Sequence, residues 1–87
     1  MKKYYLYLAR CADKTIYTGY TINLKNRESK HNSGQGAKYT KYRRPVQIVY
    51  WEKFASLRKV LQREAQIKNL SKVEKEKLIK NFKNFPG

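Results

Sequence analysis

The sequence predicts an α+β domain in which helices flank a three-stranded antiparallel or mixed sheet, in the order β-β-α-β-α-α. The chain has 87 residues, which is enough for one domain and too few for two. Its composition is 40% hydrophobic and 14% aromatic, which is typical of a globular chain. Short segments with alternating apolar residues predict strands, and segments with apolar residues three and four apart predict helices.

A hairpin is predicted at the start of the chain. Residues 4–12 and 15–20 are rich in tyrosine, leucine and β-branched residues, and a polar turn separates them. Gly19 near the end of the second strand predicts a bulge or a close backbone approach. An odd number of loop residues would place Tyr7 and Tyr17 on one face of the sheet, whereas a two-residue loop would place them on opposite faces. The sequence leaves both arrangements open.

The remaining elements follow from caps and periodicity. We expect a helix from Leu24 to about Asn32, capped by Asn23, and then a strand over 46–53. A second helix is expected from Leu57 to about Asn69, capped by Ser56. The last helix is expected to begin at the capping box Ser71–Glu74 and to end at about Phe82. These elements predict a single domain over 1–83 with a flexible C-terminus over 84–87.

The inward-facing side chains of these elements are predicted from the same patterns. On the third strand, Val46, Ile48 and Tyr50 are expected on one face and Val49 and Trp51 on the other. The apolar stripe of the second helix is expected to comprise Leu57, Val60, Leu61, Ala65 and Ile67. On the last helix, the residues expected to face the core are Val73, Leu78, Ile79 and Phe82.

Charge points to a polyanionic partner. The chain has 21 Lys and Arg residues against six Asp and Glu residues, a net charge of +15, which favours nucleic acid as the partner. A membrane surface is disfavoured because the basic C-terminal segment has few large apolar residues. No apolar run is long enough to span a membrane and no signal-peptide core is present, so we expect a cytoplasmic protein. Cys11 and His31, each the only residue of its type, cannot form a structural zinc site, and Cys11 is expected to be a small buried thiol.

Three features suggest a phosphate-binding site. Arg27 and His31 lie four residues apart and therefore share a helix face, either as a solvated basic face or as a phosphate-facing pair. Glu64 falls within an apolar stripe, so its carboxylate must be paired, protonated or bound to a cation; a salt bridge and a Mg²⁺ or Mn²⁺ site both satisfy this requirement. Aromatic and basic residues alternate in a segment that could bind bases and phosphates, or could be merely basic: Lys38, Tyr39, Lys41, Tyr42, Arg43 and Arg44.

Together these residues resemble a known family. The motifs Tyr5-Leu6-Tyr7 and Tyr17-Thr18-Gly19, followed by Arg27, His31 and Glu64, resemble the GIY-YIG nuclease module, in particular its small standalone bacterial members, the YhbQ/YazA-like group. The second motif is close to Tyr-Ile-Gly, whereas Tyr-Leu-Tyr replaces Gly-Ile-Tyr in the first. The resemblance covers residues 4 to about 70.

The resemblance implies a role for each matching residue. Tyr7 would position the attacking water or the phosphate, and Tyr17 would act as general base or orient the nucleophile. Arg27 would face the scissile phosphate, and His31 would accept a proton from a tyrosine. Glu64 would bind one Mg²⁺ or Mn²⁺ ion, and Gly19 would allow its strand to approach the helix closely. A phenol is a poor base at its usual pKa, and we expect a bound metal ion, Arg27 and neighbouring lysines of this +15 chain to lower the pKa of Tyr17.

The implied function is a metal-dependent endonuclease that hydrolyses phosphodiester bonds in DNA, with branched or damaged structures as its targets in repair or recombination. Two alternatives stay open. A non-catalytic module that binds DNA or RNA would need only the basic and aromatic surface, and an RNA- or ribosome-associated factor would show the same charge.

Overall fold

In the computed structural model, which describes residues 2–82, three strands and three helices follow one another in the predicted order. They are β1 (Tyr4–Arg10), β2 (Ile16–Thr21), α1 (Leu24–Asn32), β3 (Gln47–Phe54), α2 (Leu57–Lys68) and α3 (Lys72–Asn81). The α+β fold class is confirmed. The tail predicted to be flexible over 84–87 lies outside the described residues.

Each helix begins at a polar cap that the sequence predicts. The side chains of Asn23, Ser56 and Ser71 each accept a hydrogen bond from the backbone N–H three residues further on. Glu74 returns a bond to the backbone N–H of Ser71 and so completes the predicted capping box. These caps fix where each helix starts, and hence which of its side chains reach the sheet.

The sheet is antiparallel throughout, with β1 in the centre and strand order β2-β1-β3. Residues 11–15 connect β1 to β2, so the loop holds an odd number of residues. Tyr7 accordingly pairs with Gly19 and Ala9 with Tyr17. The side chains of Tyr7 and Tyr17 therefore lie on the same face of the sheet, which settles the alternative that the sequence left open.

The two faces of the sheet carry separate clusters of buried side chains. On one face, Leu6 and Leu8 pack with Val60 and Ile67 of α2. On the other face, the buried residues are Tyr7, Ala9, Cys11 and Val46. Full burial of a leucine stabilises the folded state by roughly 1.5–3 kcal/mol relative to its exposure, so the first face supplies much of the stability. The second face holds the polar chemistry, and burial there raises the pKa of the Cys11 thiol.

The predicted face assignment of β3 is wrong because the strand contains a bulge. Leu8 pairs with Tyr50 whereas Ala9 pairs with Ile48, which leaves Val49 as an extra residue. The extra residue reverses the alternation, so Tyr50 joins the cluster of Leu8 and Ile48 joins that of Tyr7. Side chains two apart share a face only where the ladder is regular.

Two helical predictions are also wrong. In α2 only Val60 and Ile67 are buried, while three residues expected in its apolar stripe are exposed: Leu57, Leu61 and Ala65. The buried face therefore runs through positions 60, 64 and 67 and includes Glu64. In α3, Val73 is 67% exposed because it lies about 120–140° around the helix from Leu78 and Ile79, which pack on the core.

Candidate active site

A cleft of about 320 Å³ opens beside β2, and four elements contribute to its lining. Tyr7 comes from β1, Tyr17 and Gly19 from β2, Arg27 from α1 and Glu64 from α2. The structure thus brings together five of the six residues whose roles the resemblance implies. The rest of the lining consists of residues that the sequence analysis did not select: Tyr20, Thr21 and Ile22.

The two tyrosines meet next to Gly19. Their ring centroids are 6.2 Å apart and the ring planes are tilted by 43°. A Cβ atom at Gly19 would lie 2.8 Å from the Tyr7 hydroxyl oxygen and 2.8 Å from a ring carbon of Tyr17, closer than real Cβ contacts. The predicted close approach is therefore present, with glycine leaving room for both rings, and the ladder between β1 and β2 is regular at this point.

His31 lies behind the cleft. It is only 1% exposed, and its Nε2 atom is 2.8 Å from the hydroxyl oxygen of Tyr7. Its Nδ1 atom is 2.7 Å from the hydroxyl oxygen of Thr40, and its ring lies edge-on to that of Tyr17 with centroids 5.3 Å apart. The imidazole thus bonds to Tyr7 and touches Tyr17 only through ring contact.

Thr40 is the residue at this site that sequence reasoning missed. It is fully buried, although its neighbours Tyr39 and Lys41 are exposed. A single threonine within a basic and aromatic segment carries no signal of burial. Its partner His31 is nine positions away in a different element, so no helical or strand periodicity links the two residues.

The phenols of Tyr7 and Tyr17 and the imidazole of His31 have pKa values shifted in the direction that keeps them neutral near neutral pH. Burial raises the pKa of both Tyr7 and Tyr17 above the usual value for a phenol. At Tyr17 the carboxylate of Glu64 raises the pKa further, while Arg27 lowers it by less. Burial, and secondarily Arg27, lowers the pKa of His31. The expected lowering of the Tyr17 pKa included a bound metal ion and stays a prediction for the metal-bound protein. Among the groups of the protein itself, burial and the Glu64 carboxylate outweigh Arg27 and raise this pKa.

Among the acidic side chains of residues 2–82, Glu64 is the one without a short hydrogen bond to another described residue. Its side chain is 17% exposed, and its nearest cation is the Lys68 ammonium at 3.7 Å. The other five carboxylates each accept a hydrogen bond from a side chain or a backbone N–H: Asp13, Glu28, Glu52, Glu74 and Glu76. Glu64 is therefore the acidic group best placed to bind a cation.

The surroundings of Glu64 fit a hard divalent cation. Carboxylate and phenol oxygens are donors of the kind that Mg²⁺ and Mn²⁺ accept, and Mg²⁺ is commonly held by one or two carboxylates together with water and substrate phosphate. Over residues 2–82 there is no cluster of three or more His, Cys, Asp or Glu side chains that could hold a metal ion. The remaining ligands of an ion at Glu64 would therefore be water and phosphate oxygens.

The basic and aromatic segment over 38–44 divides between two surfaces. Tyr39 contacts a residue of the cleft, because its ring centroid is 5.9 Å from that of Tyr17. The Arg43 guanidinium lies 4.3 Å from the centre of the Tyr39 ring and forms an ion pair with Asp13. Arg43 is therefore held by contacts within the protein.

The second surface is a cavity of about 550 Å³ lined by Lys41, Tyr42 and Arg44 together with Asn32 and Pro45. Tyr42 is 86% exposed, and Lys41 lies 5.5 Å from the centre of its ring. Arg44 donates hydrogen bonds to the carbonyl oxygens of Lys41 and Asn32. Lys38 is exposed. No helix within the described part of the chain is long and apolar enough to cross a membrane.

The fold and the cleft agree with what the family comparison shows. Residues 3–79 match the profile of the GIY-YIG catalytic domain, so the chain belongs to the GIY-YIG family. This is a nuclease family, whose members act on nucleic acid and generally use divalent metal ions.

The similar proteins are small standalone members of this family. A UPF0213 protein of Syntrophus aciditrophicus is 57% identical over 81 residues, which cover 92% of this chain and 93% of that protein. The UPF0213 protein SSP2268 of Staphylococcus saprophyticus is 52% identical over 79 residues, which cover 91% of this chain and 96% of that protein. These names state no activity.

Two solution NMR structures share the fold. The UPF0213 protein BH0048 of Bacillus halodurans is 40% identical, with a TM-score of 0.58 over 90% of this chain and 83% of that one. The protein EF2693 of E. faecalis is 37% identical, with a TM-score of 0.63 over 100% of this chain and 95% of that one. Both confirm the arrangement of sheet and helices described above.

Proposed function

We propose that the protein is a metal-dependent endonuclease that hydrolyses phosphodiester bonds in DNA, with branched or damaged structures as its preferred targets. Its place would be the bacterial cytosol or nucleoid, in repair or recombination. One observation carries the proposal: Arg27 and Glu64, the carboxylate without a short partner, line the same cleft as Tyr7 and Tyr17. Phosphoryl transfer requires a positioned nucleophile and stabilisation of negative charge on the phosphate. These requirements could be met by a guanidinium, a cation-binding carboxylate and two phenols.

Arg27 has the role of binding the scissile phosphate. Its guanidinium keeps its charge at any working pH and can donate two hydrogen bonds to a phosphate at once. It makes no side-chain hydrogen bond to another described residue, so its donors are available in the cleft. As the substrate gains negative charge in the transition state, this fixed positive charge stabilises it more than the ground state.

Glu64 would hold one Mg²⁺ or Mn²⁺ ion. When bound, such an ion neutralises negative charge on the phosphate and on the leaving oxygen. The competing contact is with Lys68 at 3.7 Å, and the Lys68 side chain is 57% exposed. An exposed ion pair of this length contributes little to stability, so its loss on cation binding costs little.

Tyr17 has the role of orienting the nucleophile as a neutral phenol. Since burial and Glu64 raise its pKa, the phenolate is scarce near neutral pH. A neutral hydroxyl still accepts a hydrogen bond from water and donates one to a phosphate oxygen. Tyr7, which is bonded to His31, connects the cleft to the imidazole as a proton acceptor.

The surface around the cleft would bind the flanking nucleic acid. Lys38 and Lys41 are exposed cations, and Tyr42 presents an exposed ring for stacking. Tyr39 and Arg43 extend this surface to Tyr17, and Arg44 extends it to the second cavity. These groups would contact phosphates and base faces, so they would recognise the structure of DNA and not its sequence.

The test is cleavage of plain, nicked and forked DNA of one sequence with Mg²⁺, Mn²⁺ or EDTA. We expect cleavage with either metal and none with EDTA. Glu64→Gln and Arg27→Ala should each lower kcat/KM by about 100-fold or more, since each removes a charge that acts on the transition state. The matched control is Glu76→Gln, the same change in a carboxylate that pairs with Arg10 away from the cleft.

Two results would contradict the proposal. Equal cleavage by the wild type and by Glu64→Gln would place the activity in a contaminant. Tight DNA binding without cleavage under any of the metal conditions would support the non-catalytic module instead.

A further inference from the structure

Three buried side chains form a continuous hydrogen-bonded chain behind the cleft. The Tyr7 hydroxyl oxygen is 2.8 Å from Nε2 of His31, and Nδ1 of His31 is 2.7 Å from Oγ1 of Thr40. Oγ1 of Thr40 is in turn 2.9 Å from the carbonyl oxygen of Ala37. The three side chains are at most 1% exposed and come from β1, α1 and the connection between α1 and β3. These bonds are therefore shielded from bulk solvent.

The direction of every bond in this chain follows from counting protons. The Ala37 carbonyl can only accept, so the single hydroxyl proton of Thr40 must point to it. Oγ1 of Thr40 then accepts from His31, which requires the proton on Nδ1. Burial lowers the pKa of His31, so its ring carries one proton, and Nε2 is left as an acceptor for the hydroxyl proton of Tyr7. With a neutral ring, no other arrangement gives a proton to all three contacts.

We infer that Thr40 is a positioning residue that fixes the proton of His31 on Nδ1 and so makes Tyr7 a hydrogen-bond donor to His31 and an acceptor toward the cleft. The inference rests on the proposed function for its chemical consequence. Tyr7 and Gly19 both line the cleft, and the absence of a side chain at Gly19 leaves room for the Tyr7 hydroxyl at the border of the cleft. A water molecule in the cleft beside that hydroxyl can donate to Tyr7 but cannot accept from it.

This polarity allows one balanced proton transfer. As the oxygen of a water molecule bonds to phosphorus, a proton of that water passes to the Tyr7 oxygen, and the Tyr7 proton passes to Nε2 of His31. The bond from phosphorus to the leaving oxygen breaks, and that oxygen takes a proton from solvent. His31 is then an imidazolium that still donates to Thr40, and it returns its proton to solvent through Tyr7 after the products leave.

Without the hydroxyl at position 40 the polarity reverses. In Thr40→Val the side chain keeps its shape, but Nδ1 loses its acceptor, so the ring proton moves to Nε2 and is donated to Tyr7. The Tyr7 proton would then point into the cleft, where it opposes uptake of a proton from water. Thr40→Ser keeps the hydroxyl and serves as the matched control.

The decisive measurement is the protonation of the two ring nitrogens of His31 by ¹⁵N NMR. His31 is the only histidine of the chain, so an untagged protein gives one imidazole spectrum. Without DNA, in EDTA and at about pH 7.5, where an ordinary histidine is neutral, we expect the proton on Nδ1 in the wild type and in Thr40→Ser, and on Nε2 in Thr40→Val. The inference would be overturned if the proton of His31 lies on Nε2 in the wild type, or if it stays on Nδ1 in Thr40→Val.

Cleavage kinetics supply the second readout. Thr40→Val should lower kcat by about 10- to 100-fold with KM nearly unchanged, and Thr40→Ser should restore most of it. Equal kcat for Thr40→Val and the wild type would overturn the proton transfer. If Thr40→Val fails to fold by circular dichroism, the spectra of the wild type and Thr40→Ser decide. Absence of cleavage by the wild type would overturn the proposed function, while a proton on Nδ1 would still support the position assigned to Thr40.

Discussion

Buried threonines in this protein differ sharply in how their hydroxyl groups are bonded. Thr40 accepts from His31 and donates to Ala37, whereas Oγ1 of Thr18 has no hydrogen-bond partner among the residues that the structure describes. Thr18 lies in β2 and is 4% exposed. A buried hydroxyl without a partner costs about 1–3 kcal/mol of desolvation that no bond repays.

Thr18→Val should therefore increase the free energy of unfolding by about 1 kcal/mol, because valine keeps the shape and the β-propensity and removes the unpaired hydroxyl. The measurement is urea unfolding followed by circular dichroism. The control is Thr21→Val in the same strand, where the hydroxyl donates to and accepts from the backbone of Asn23. That variant should lose about 1 kcal/mol, and a loss of the same size at Thr18 would contradict the prediction.

Site residues could be predicted from the sequence where the signal is their spacing within a single helix. Arg27 and His31 share a helix face and could be paired by counting alone, and Glu64 stood out as a charge within an apolar stripe. Thr40 could not be found this way, because its contact with His31 depends on how a loop folds back. The effect of the protein's own groups on the pKa of Tyr17 could not be predicted either, because burial in the fold is its largest cause.

At the scale of elements, α1 protects an exposed edge of the sheet. β3 is an edge strand, and near its start the side chains of α1 bond to its backbone. Oε2 of Glu28 accepts from the N–H of Ile48 at 2.7 Å, and Asn32 bonds to both the N–H and the carbonyl of Val46. An edge whose donors are already bonded cannot add a strand from another molecule there.

Glu28→Ala should lower the free energy of unfolding by about 1–2 kcal/mol, because the N–H of Ile48 loses its acceptor. It should also promote self-association through the freed edge of β3. Urea unfolding measures the first effect and sedimentation velocity the second. Glu28→Gln, which keeps an acceptor oxygen of the same reach, should resemble the wild type; equal losses in both variants would show that charge, and not the hydrogen bond, is responsible.

The order and bounds of the elements were largely predictable, because caps and apolar periodicity are local signals. The bulge at Val49 was not, since it arises from the pairing of Leu8 and Ala9 with β3 and not from the residues of β3 itself. The buried face of α2 was misjudged for a similar reason. Leu61 fits the helical stripe, but the sheet lies under the row that contains Glu64.

At the scale of the whole molecule, the neutral imidazole buried between β1 and the loop makes stability sensitive to pH. Burial first, and Arg27 second, lowers the pKa of His31 in the folded state. As pH falls, the unfolded chain binds a proton at an ordinary histidine pKa before the folded protein does. Stability is therefore fully present above about pH 6.5 and declines below it until the folded state also binds the proton.

The free energy of unfolding should thus be lower at about pH 5.5 than at about pH 7.5. Urea unfolding at both pH values measures the difference. The carboxyl of Asp13, whose pKa its hydrogen bonds to Thr15 and Arg43 lower to about 2, stays charged over this range. His31→Gln removes the titrating group and should remove most of the difference; a difference of full size in that variant would assign the pH dependence to other groups.

The convergence of distant residues on one cleft is a property of the whole molecule. Tyr7, Tyr17, Arg27 and Glu64 come from four elements, and their meeting depends on the odd loop of the hairpin and on the packing of α2. The resemblance to a family predicted this meeting because the family supplies the topology. Composition alone gave only a polyanionic partner, and charge could not separate an enzyme from a binding module.

The segment around Thr40 contributes both to the outer surface and to the buried surroundings of His31. The ring of Tyr39 packs against that of Tyr17, and Thr40, the next residue in the chain, is hydrogen-bonded to His31. Grafting a different recognition segment onto this scaffold would therefore exchange an internal hydroxyl together with the external side chains. Each new segment would still have to present a hydroxyl or another acceptor to the imidazole.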